Sequence, residues 1–238
     1  MFNWDSEARR YVEGNDLAMT TFGPLKDYVP KSIDDYALAV SATAGADAVM
    51  DGLARVANDN RLSLRQGDWM QTYTGRQFWP MDPCASEVHI EDIAHSLSMQ
   101  CRFAGHCQRF YSVAEHSVHL ARYVAPEHAL WALLHDASEA YLVDVPRPVK
   151  PFLSGYKDAE KRVMQAICAA FRLPHAMPAE VHAADNRILA DERSNMALCV
   201  AEWSGYDKPL GVSLEYWEPE RAEDEFLAAY YALETMRS

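Results

Sequence analysis

The chain has 238 residues, of which 49% are hydrophobic and 24% are charged. These proportions are ordinary for a globular protein, and the length leaves room for one domain with an appendage or for two small domains. Acidic residues outnumber basic residues by 35 to 22, a formal net charge of −13. Nucleic acids and anionic membranes are bound through clustered Lys and Arg, which this sequence lacks. We therefore expect no polymeric nucleic acid and no membrane as a partner, whereas a small anionic ligand stays open.

The N-terminal segment and the cysteines predict a cytoplasmic protein. The first residues carry acids and lack the apolar stretch of a secretory signal. Five cysteines are present, and none of them forms a C-x-x-C pair. An odd number with this spacing argues against a disulfide framework and against a thiolate zinc site, so we expect reduced cysteines.

Residues 1–67 differ in composition from the rest of the chain. The segment 32–58 is rich in Ala, Asp and Val, and its apolar residues recur at helical spacing. Residues 58–60 (Asn-Asp-Asn) then indicate a helix end and a linker. Because this part holds no motif of known chemistry, we divide the chain into an N-terminal helical extension, residues 1–67, and a second domain, residues 68–238.

The second domain begins with an extended segment and continues in helices. Residues 69–83 combine aromatic and β-branched side chains around Thr74 and Gly75, which predicts a short hairpin. The rest has helical periodicity, bounded by prolines and by a candidate N-cap at Ser112. The predicted helices cover residues 90–99, 113–124, 128–142, 158–171, 178–200 and 219–236. These patterns predict an all-α fold class with a small hairpin at the start of the domain.

The most informative stretch is 133–141, where an apolar run leads directly into His135 and Asp136. On a continuous helix, Glu139 would share a face with both residues. Placing an imidazole and two carboxylates at the end of a buried run is costly unless a cation satisfies them. A divalent metal would do so, with one carboxylate left for acid–base work. The alternative is a helical His and Asp satisfied by hydrogen bonds.

Two further residues extend this candidate site. His116 lies 19 residues before His135, and Asp185 lies 50 residues after it, each on a predicted helix. Asp191 and Glu192 are alternatives to Asp185, but the apolar-x-x-Ala-Asp context favours Asp185. Two imidazoles and two carboxylates form a mixed nitrogen and oxygen set that suits one divalent ion of Mn, Co, Zn, Ni, Fe or Mg.

Two adjacent motifs resemble the signature of a known enzyme family. They read His-Asp-Ala-Ser-Glu at residues 135–139 and Asp-Val-Pro-Arg-Pro-Val-Lys at residues 144–150. They are similar to the H-D-A-S-E…D-x-P-x-P-x-K signature of HD-domain phosphohydrolases, in the branch of bacterial 5′-deoxynucleotidases and phage dNTP (dATP) triphosphohydrolases. The resemblance covers roughly residues 69–196. It implies an HD-domain helical core, a small deoxynucleotide substrate and a homodimer.

The family pattern also implies roles for individual residues. It places metal ligands at His116, His135, Asp136 and Asp185, and it makes Glu139 the acid that orients or activates the attacking water. These roles agree with the chemistry of phosphoester hydrolysis, which needs a neutralised phosphoryl group and a positioned nucleophile.

The substrate-facing residues follow from the same resemblance and from the local sequence. Asp144 matches a residue near the sugar, and Arg102 matches an Arg that holds phosphate. Phe103 stands where the family has a Trp that crowds the 2′ position of the sugar, so strict exclusion of ribonucleotides is not implied.

Three other polar residues are candidates for the substrate pocket. His106 and Arg109 lie in a polar stretch just before the helix of His116, and the alternative role for both is loop hydrogen bonding. Lys150 can meet a phosphate, with solvated surface as the alternative.

The resemblance implies hydrolysis of 5′-deoxynucleotides to deoxynucleosides, with two leaving patterns open. A monophosphate would release orthophosphate, and a dNTP would release triphosphate. We favour the monophosphate, because Arg102, Glu139 and Asp144 all have counterparts in the monophosphatases. Further alternatives are a non-catalytic nucleotide sensor and an HD phosphodiesterase acting on another nucleotide. Glu139 argues against the sensor, since binding alone needs no water-activating carboxylate.

Overall fold

Helices make up nearly all regular structure in the computed structural model, which describes residues 65–198 and 208–237. Their bounds are α1 Ile90–Met99, α2 Val113–Tyr123, α3 Pro126–Leu134, α4 Glu139–Leu142, α5 Tyr156–Ala170, α6 Ala179–Glu192 and α7 Pro219–Arg237. The predicted all-α class is confirmed. Within the described ranges, no helix combines the length and the apolar character needed to cross a bilayer.

Contacts divide the chain into residues 1–65 and residues 66–238. Helices α1–α7 and the hairpin that precedes them belong to the second unit. The predicted N-terminal extension, residues 1–67 with its helix over 32–58, lies outside the described residues except for its last three positions. Its helical character and its role stay predictions.

A small hairpin precedes the helices, as the sequence predicts. Strand β1 (Met70–Gln71) pairs antiparallel with β2 (Gln77–Phe78). The turn between them is fixed on α1, because Asp92 accepts hydrogen bonds from the Thr74 backbone N–H at 2.7 Å and from the Thr74 hydroxyl at 3.1 Å. The fully buried Phe78 ring stacks on Tyr141, with ring centroids 3.8 Å apart. The hairpin therefore covers the core beside α4.

Helix α2 lies at the centre of the domain and packs against α1, α3, α6 and α7. It starts where the sequence predicts, since the Ser112 hydroxyl accepts a hydrogen bond from the Glu115 N–H at 3.0 Å and caps the helix. All residues from 113 to 121 are buried. Polar side chains on such a helix need partners inside the protein, because an unpaired buried polar group costs about 1–3 kcal/mol.

The prediction of one continuous helix over residues 128–142 is wrong. Helix α3 ends at Leu134 and α4 begins at Glu139. Between them the backbone stays right-handed but tightens to i→i+3 hydrogen bonds, from Ala137 N–H to Leu134 O at 3.0 Å and from Glu139 N–H to Asp136 O at 2.9 Å. A tighter turn changes the direction of side chains relative to an α-helix. The adjacent His135 and Asp136 therefore stand on a turn between two helices.

The predicted helix over residues 178–200 is also too long. Helix α6 ends at Glu192 and is followed by a 3-10 turn, Arg193–Asn195. The buried Asn195 side chain accepts a hydrogen bond from Arg109 N–H at 3.0 Å and donates one to Arg109 O at 2.8 Å. These bonds direct the chain away from the helix axis and connect it to the loop before α2.

Candidate metal centre

Three side chains from two parts of the fold meet at the buried end of α3. The Nε2 atoms of His116 (α2) and His135 lie 3.2 Å apart. Asp136 Oδ2 lies 3.2 Å from His135 Nε2 and 3.7 Å from His116 Nε2. The potential ligand atoms of these residues all lie within 4.8 Å of one another. We call these three residues, together with Asp185, the acceptor cluster.

Hydrogen bonds on the far side of each imidazole fix the direction of the rings. His116 Nδ1 lies 2.7 Å from Glu192 Oε1, and His135 Nδ1 lies 2.7 Å from the carbonyl oxygen of Ala132. Both partners are acceptors, so each Nδ1 carries a proton and donates it. Each Nε2 is then directed into the cluster, as in metal-ligating histidines whose other ring nitrogen donates to a carboxylate or a carbonyl.

Asp185 on α6 adds a second carboxylate. Its Oδ1 atom lies 3.4 Å from His116 Nε2 and 3.8 Å from His135 Nε2. The two alternative acids serve other purposes. Asp191 accepts backbone hydrogen bonds from residues 210 and 211, and Glu192 lies behind His116 on its Nδ1 side. The structure thus brings together the four residues predicted as metal ligands.

The donor set fits a divalent cation. The two imidazoles are buried and the two carboxylates are partly exposed, and acceptors directed at one point repel each other unless positive charge lies between them. Burial lowers the pKa of His135, but the neighbouring Asp136 and Asp185 outweigh it and raise this pKa well above its usual value. The site therefore favours positive charge. Two imidazoles with carboxylates suit Mn, Fe, Co, Ni or Zn, and the cluster can hold such an ion.

Arg102 lies at the edge of the cluster with its side chain buried. Its NH2 atom lies 3.0 Å from Glu192 Oε2 and its NH1 atom 3.6 Å from Asp136 Oδ2. Burial opposes the charged guanidinium, but Glu192 and Asp136 outweigh it and raise the pKa of Arg102 above its usual value. The Nε atom has no hydrogen-bond partner among the described residues. A fixed cation with a spare donor is suited to a phosphate oxygen.

The loop after Arg102 turns sharply. Phe103, Ala104 and Gly105 have φ values of 56°, 51° and 77°, and only glycine adopts this region without strain. The Phe103 ring lies 5.5 Å from the guanidinium carbon of Arg102, as measured to the ring centroid. This loop therefore holds the predicted Arg-Phe pair side by side.

His106 and Arg109, which are predicted to bind substrate, do not contact the acceptor cluster through hydrogen bonds or ion pairs among the described residues. His106 is exposed, and the guanidinium of Arg109 lies over the Tyr216 ring, 3.8 Å from its centroid. Their role in substrate binding stays a prediction.

Glu139 is buried at the start of α4, with one oxygen held and the other free. Its Oε1 atom lies 3.3 Å from Lys150 Nζ, which also contacts Glu160 Oε1 at 2.9 Å. Its Oε2 atom has no hydrogen-bond partner in the described residues. Burial, together with the nearby Asp136 and Asp144, raises the pKa of Glu139 to about 9. A buried carboxyl group with a free oxygen and a raised pKa is typical of acid–base chemistry.

Gln100 connects Glu139 to Asp144, a contact the sequence analysis missed. Its Nε2 donates to Glu139 O at 3.1 Å, and its Oε1 accepts from Asp144 N–H at 3.0 Å. Between these two positions Val143 has φ 66° and ψ 149°, a conformation that is strained for a β-branched residue. Gln100 lies 39 and 44 residues away in sequence, so no local pattern could have found it.

Comparisons with known proteins give relatives without a stated activity. No family model matches the chain. Over 130 residues the chain is 42% identical to the uncharacterized protein YfdR of Escherichia coli, which covers 55% of this chain and 73% of YfdR. Over 123 residues it is 36% identical to the uncharacterized protein RCAP_rcc00048 of Rhodobacter capsulatus, which covers 48% of this chain and 63% of that protein.

Proposed function

The chain belongs to the family of the Escherichia coli protein YfdR, and we propose that it is a metal-dependent phosphohydrolase of the HD-domain type. Its proposed substrates are 5′-deoxynucleotides, which it converts to deoxynucleosides. The monophosphate, releasing orthophosphate, is favoured over the dNTP, releasing triphosphate.

One observation supports this proposal most strongly. Arg102, which has the spare donor, contacts Asp136 of the acceptor cluster, and Glu139, which has the free oxygen, lies close enough to Asp136 and Arg102 for their charges to shift its pKa. A cation-binding set beside a fixed arginine and an unpaired carboxyl group matches the needs of phosphoryl transfer, which are charge neutralisation, orientation and proton removal. A purely structural cluster would have no use for an unpaired buried carboxylate oxygen.

In this proposal His116, His135, Asp136 and Asp185 hold one divalent ion. When bound, such an ion supplies charge neutralisation for a phosphoryl oxygen and lowers the pKa of water. Arg102 contacts a second phosphoryl oxygen and keeps the phosphate in register with the nucleophile.

Glu139 accepts a proton from the water as the water oxygen bonds to phosphorus. The bond from phosphorus to the 5′-oxygen breaks, and this oxygen takes up a proton and leaves as the hydroxyl of the deoxynucleoside. Lys150 and Arg102 lower the pKa of Glu139 but do not outweigh burial, Asp136 and Asp144, which raise it to about 9. Positive charge held in the acceptor cluster would lower this pKa, so that the carboxylate form could take the proton. Asp144, whose backbone N–H is fixed by Gln100, faces the sugar in this proposal and bonds its 3′-hydroxyl.

A product analysis tests the proposal and separates its two versions. The full chain is stripped with a chelator, loaded with Mn or Co, and incubated separately with dAMP and dATP. Ion-exchange chromatography then resolves phosphate from triphosphate. Phosphate from dAMP supports the monophosphatase, and triphosphate from dATP supports the triphosphohydrolase. The absence of both products from a protein that has bound its metal would contradict both versions.

The same assay separates the remaining alternatives. A panel of cyclic and hyperphosphorylated nucleotides tests the phosphodiesterase, and AMP beside dAMP tests whether Phe103 permits a ribose. A sensor would bind nucleotide without turnover in every case.

A further inference from the structure

Glu192 is the most deeply buried carboxylate in contact with the acceptor cluster. Its side chain is fully buried at the last residue of α6. One oxygen lies 2.7 Å from His116 Nδ1, and the other lies 3.0 Å from Arg102 NH2. The two partners are 76 and 90 residues away in sequence. Burying a carboxylate this completely is costly unless partners compensate for the lost water. The effects of Glu192 should therefore act through His116 and Arg102.

We propose that Glu192 is a positioning residue that tunes metal affinity in two ways. It orients His116, and it competes with Asp136 for the guanidinium of Arg102. The inference rests on the metal-binding part of the proposed function and is independent of the nature of the substrate.

The first effect concerns the tautomer of His116. A neutral imidazole carries one N–H proton, and the ring nitrogen that bears this proton cannot bind a metal. Because Glu192 Oε1 accepts from Nδ1, the lone pair is left on Nε2, which is directed at His135 and Asp136. A carboxylate behind a ligating imidazole also makes that ligand more basic.

The second effect concerns competition between two cations. Arg102 lies between two acids, 3.0 Å from Glu192 and 3.6 Å from Asp136. The shorter contact is with Glu192, so this carboxylate is the closer partner of the guanidinium. Without it, Arg102 would have Asp136 as its nearest acid partner and would compete with a metal for the same oxygen.

The neighbouring residue provides a matched control. Asp191 lies on the same helix and accepts backbone hydrogen bonds from Leu210 at 2.7 Å and Gly211 at 2.9 Å. Asp191→Asn and Glu192→Gln each replace one carboxylate by an amide. A general weakening of α6 would affect both variants, whereas a change in metal affinity through His116 and Arg102 would affect only Glu192→Gln.

The test measures Mn²⁺ affinity of the stripped full chain by calorimetry, without nucleotide, and checks folding by circular dichroism. We expect Glu192→Gln to bind Mn²⁺ about 10–100-fold more weakly than the wild type, the usual cost of losing such a partner. Asp191→Asn should stay within about 2-fold of it. Equal affinity of Glu192→Gln and the wild type, or an equal loss in both variants, would overturn the proposal. A wild type that binds no metal would instead contradict the proposed function.

Two further measurements separate the two effects. Adding Arg102→Met to Glu192→Gln removes the competing cation. The double variant should bind Mn²⁺ about 3-fold or more tightly than Glu192→Gln alone. A double variant that binds as weakly as Glu192→Gln would contradict competition between Arg102 and the metal. Proton–nitrogen NMR of the Zn-loaded wild type tests the first effect without any variant. We expect the proton of His116 on Nδ1, and a proton on Nε2 would overturn that part of the proposal.

Discussion

His116 Nε2 and His135 Nε2 lie 3.2 Å apart in the interior of the domain, and both rings use Nδ1 for a hydrogen bond to an acceptor on the opposite side. Two imidazoles oriented in this way present their Nε2 atoms to each other, and when both rings are neutral their lone pairs face each other. The arrangement is unfavourable for two neutral rings and favourable around a cation. This pair of residues is therefore the centre of the proposed metal site.

Metal binding should stabilise the protein. A ligand present at 100 times its dissociation constant adds about 2.7 kcal/mol to the free energy of unfolding. For a domain of this size that corresponds to a rise in Tm of about 5–10 °C. Differential scanning fluorimetry with Mn²⁺, before and after addition of a chelator, measures it. Asp185→Asn should lose most of the increment, and an unchanged Tm in the wild type at saturating Mn²⁺ would contradict the site.

Replacing Glu139 should separate turnover from metal binding. Glu139→Gln keeps the size of the side chain but removes the group that accepts the proton, so we expect kcat to fall by about 10²–10⁴-fold. Metal content, measured by atomic absorption, should stay that of the wild type. Glu160→Gln is the control, because Glu160 is the other carboxylate on Lys150. A fall of less than tenfold in Glu139→Gln would remove Glu139 from the mechanism.

Glu115 should stabilise the fold. Its carboxylate is fully buried and accepts backbone hydrogen bonds from Glu215, Tyr216 and Trp217 at 2.7, 2.9 and 2.7 Å. An amide at this position cannot accept all three bonds, and each unpaired buried N–H costs about 1–3 kcal/mol. We therefore expect Glu115→Gln to lower the free energy of unfolding by about 3 kcal/mol or more in urea titrations. A loss below 1 kcal/mol would show that these bonds are replaced by others.

Relief of backbone strain at Val143 should stabilise the protein. With φ 66° and ψ 149° this residue occupies a region that is essentially reserved for glycine, at a cost of about 1–3 kcal/mol. Glycine removes that cost and adds about 0.5–1 kcal/mol of backbone entropy to the unfolded state. We expect Val143→Gly to raise the free energy of unfolding by about 1 kcal/mol. Val149→Gly, at an exposed position with negative φ, should destabilise instead. A loss of stability in Val143→Gly would contradict the strain.

The thiol of Cys107 should react slowly at neutral pH. Burial and the Cys101 thiol, whose sulfur lies 3.3 Å away, raise the pKa of Cys107 to about 11. The thiolate is the reactive form of cysteine. A raised pKa therefore lowers the alkylation rate at every pH below the pKa, where most of the thiol is protonated. We expect the alkylation rate of Cys107, followed by peptide mass spectrometry, to rise about tenfold per pH unit up to about pH 11. A plateau already at pH 9 would contradict this environment.

The proximity of the four proposed metal ligands follows from signals that are local or belong to a motif. His135 and Asp136 adjoin each other after an apolar run, His116 lies on a helix that is buried from residue 113 to 121, and Asp185 is half-buried on α6. The positions of the hairpin and of the Ser112 cap were also predictable, since turn and capping residues act over a few residues.

The errors and omissions have a common physical origin. The tightened turn after Leu134 keeps its apolar residues at spacings that also suit an α-helix, so periodicity could not distinguish the two. The end of α6 depends on hydrogen bonds between Asn195 and Arg109, which are 86 residues apart. The hydrogen-bond partners of Glu192 and Gln100 also lie far from them in sequence, at 76 and 90 residues for Glu192 and at 39 and 44 residues for Gln100. Such contacts follow from the packing of helices and leave no periodic signal.

We expect one divalent ion to bind between His116, His135, Asp136 and Asp185. Anomalous diffraction at the manganese edge, from crystals of the full chain grown with Mn²⁺, tests it most directly. One dominant anomalous peak is expected, bonded to the Nε2 atoms of both histidines and to an oxygen of each aspartate. A peak bonded elsewhere, or no peak between these four side chains at saturating Mn²⁺, would contradict it.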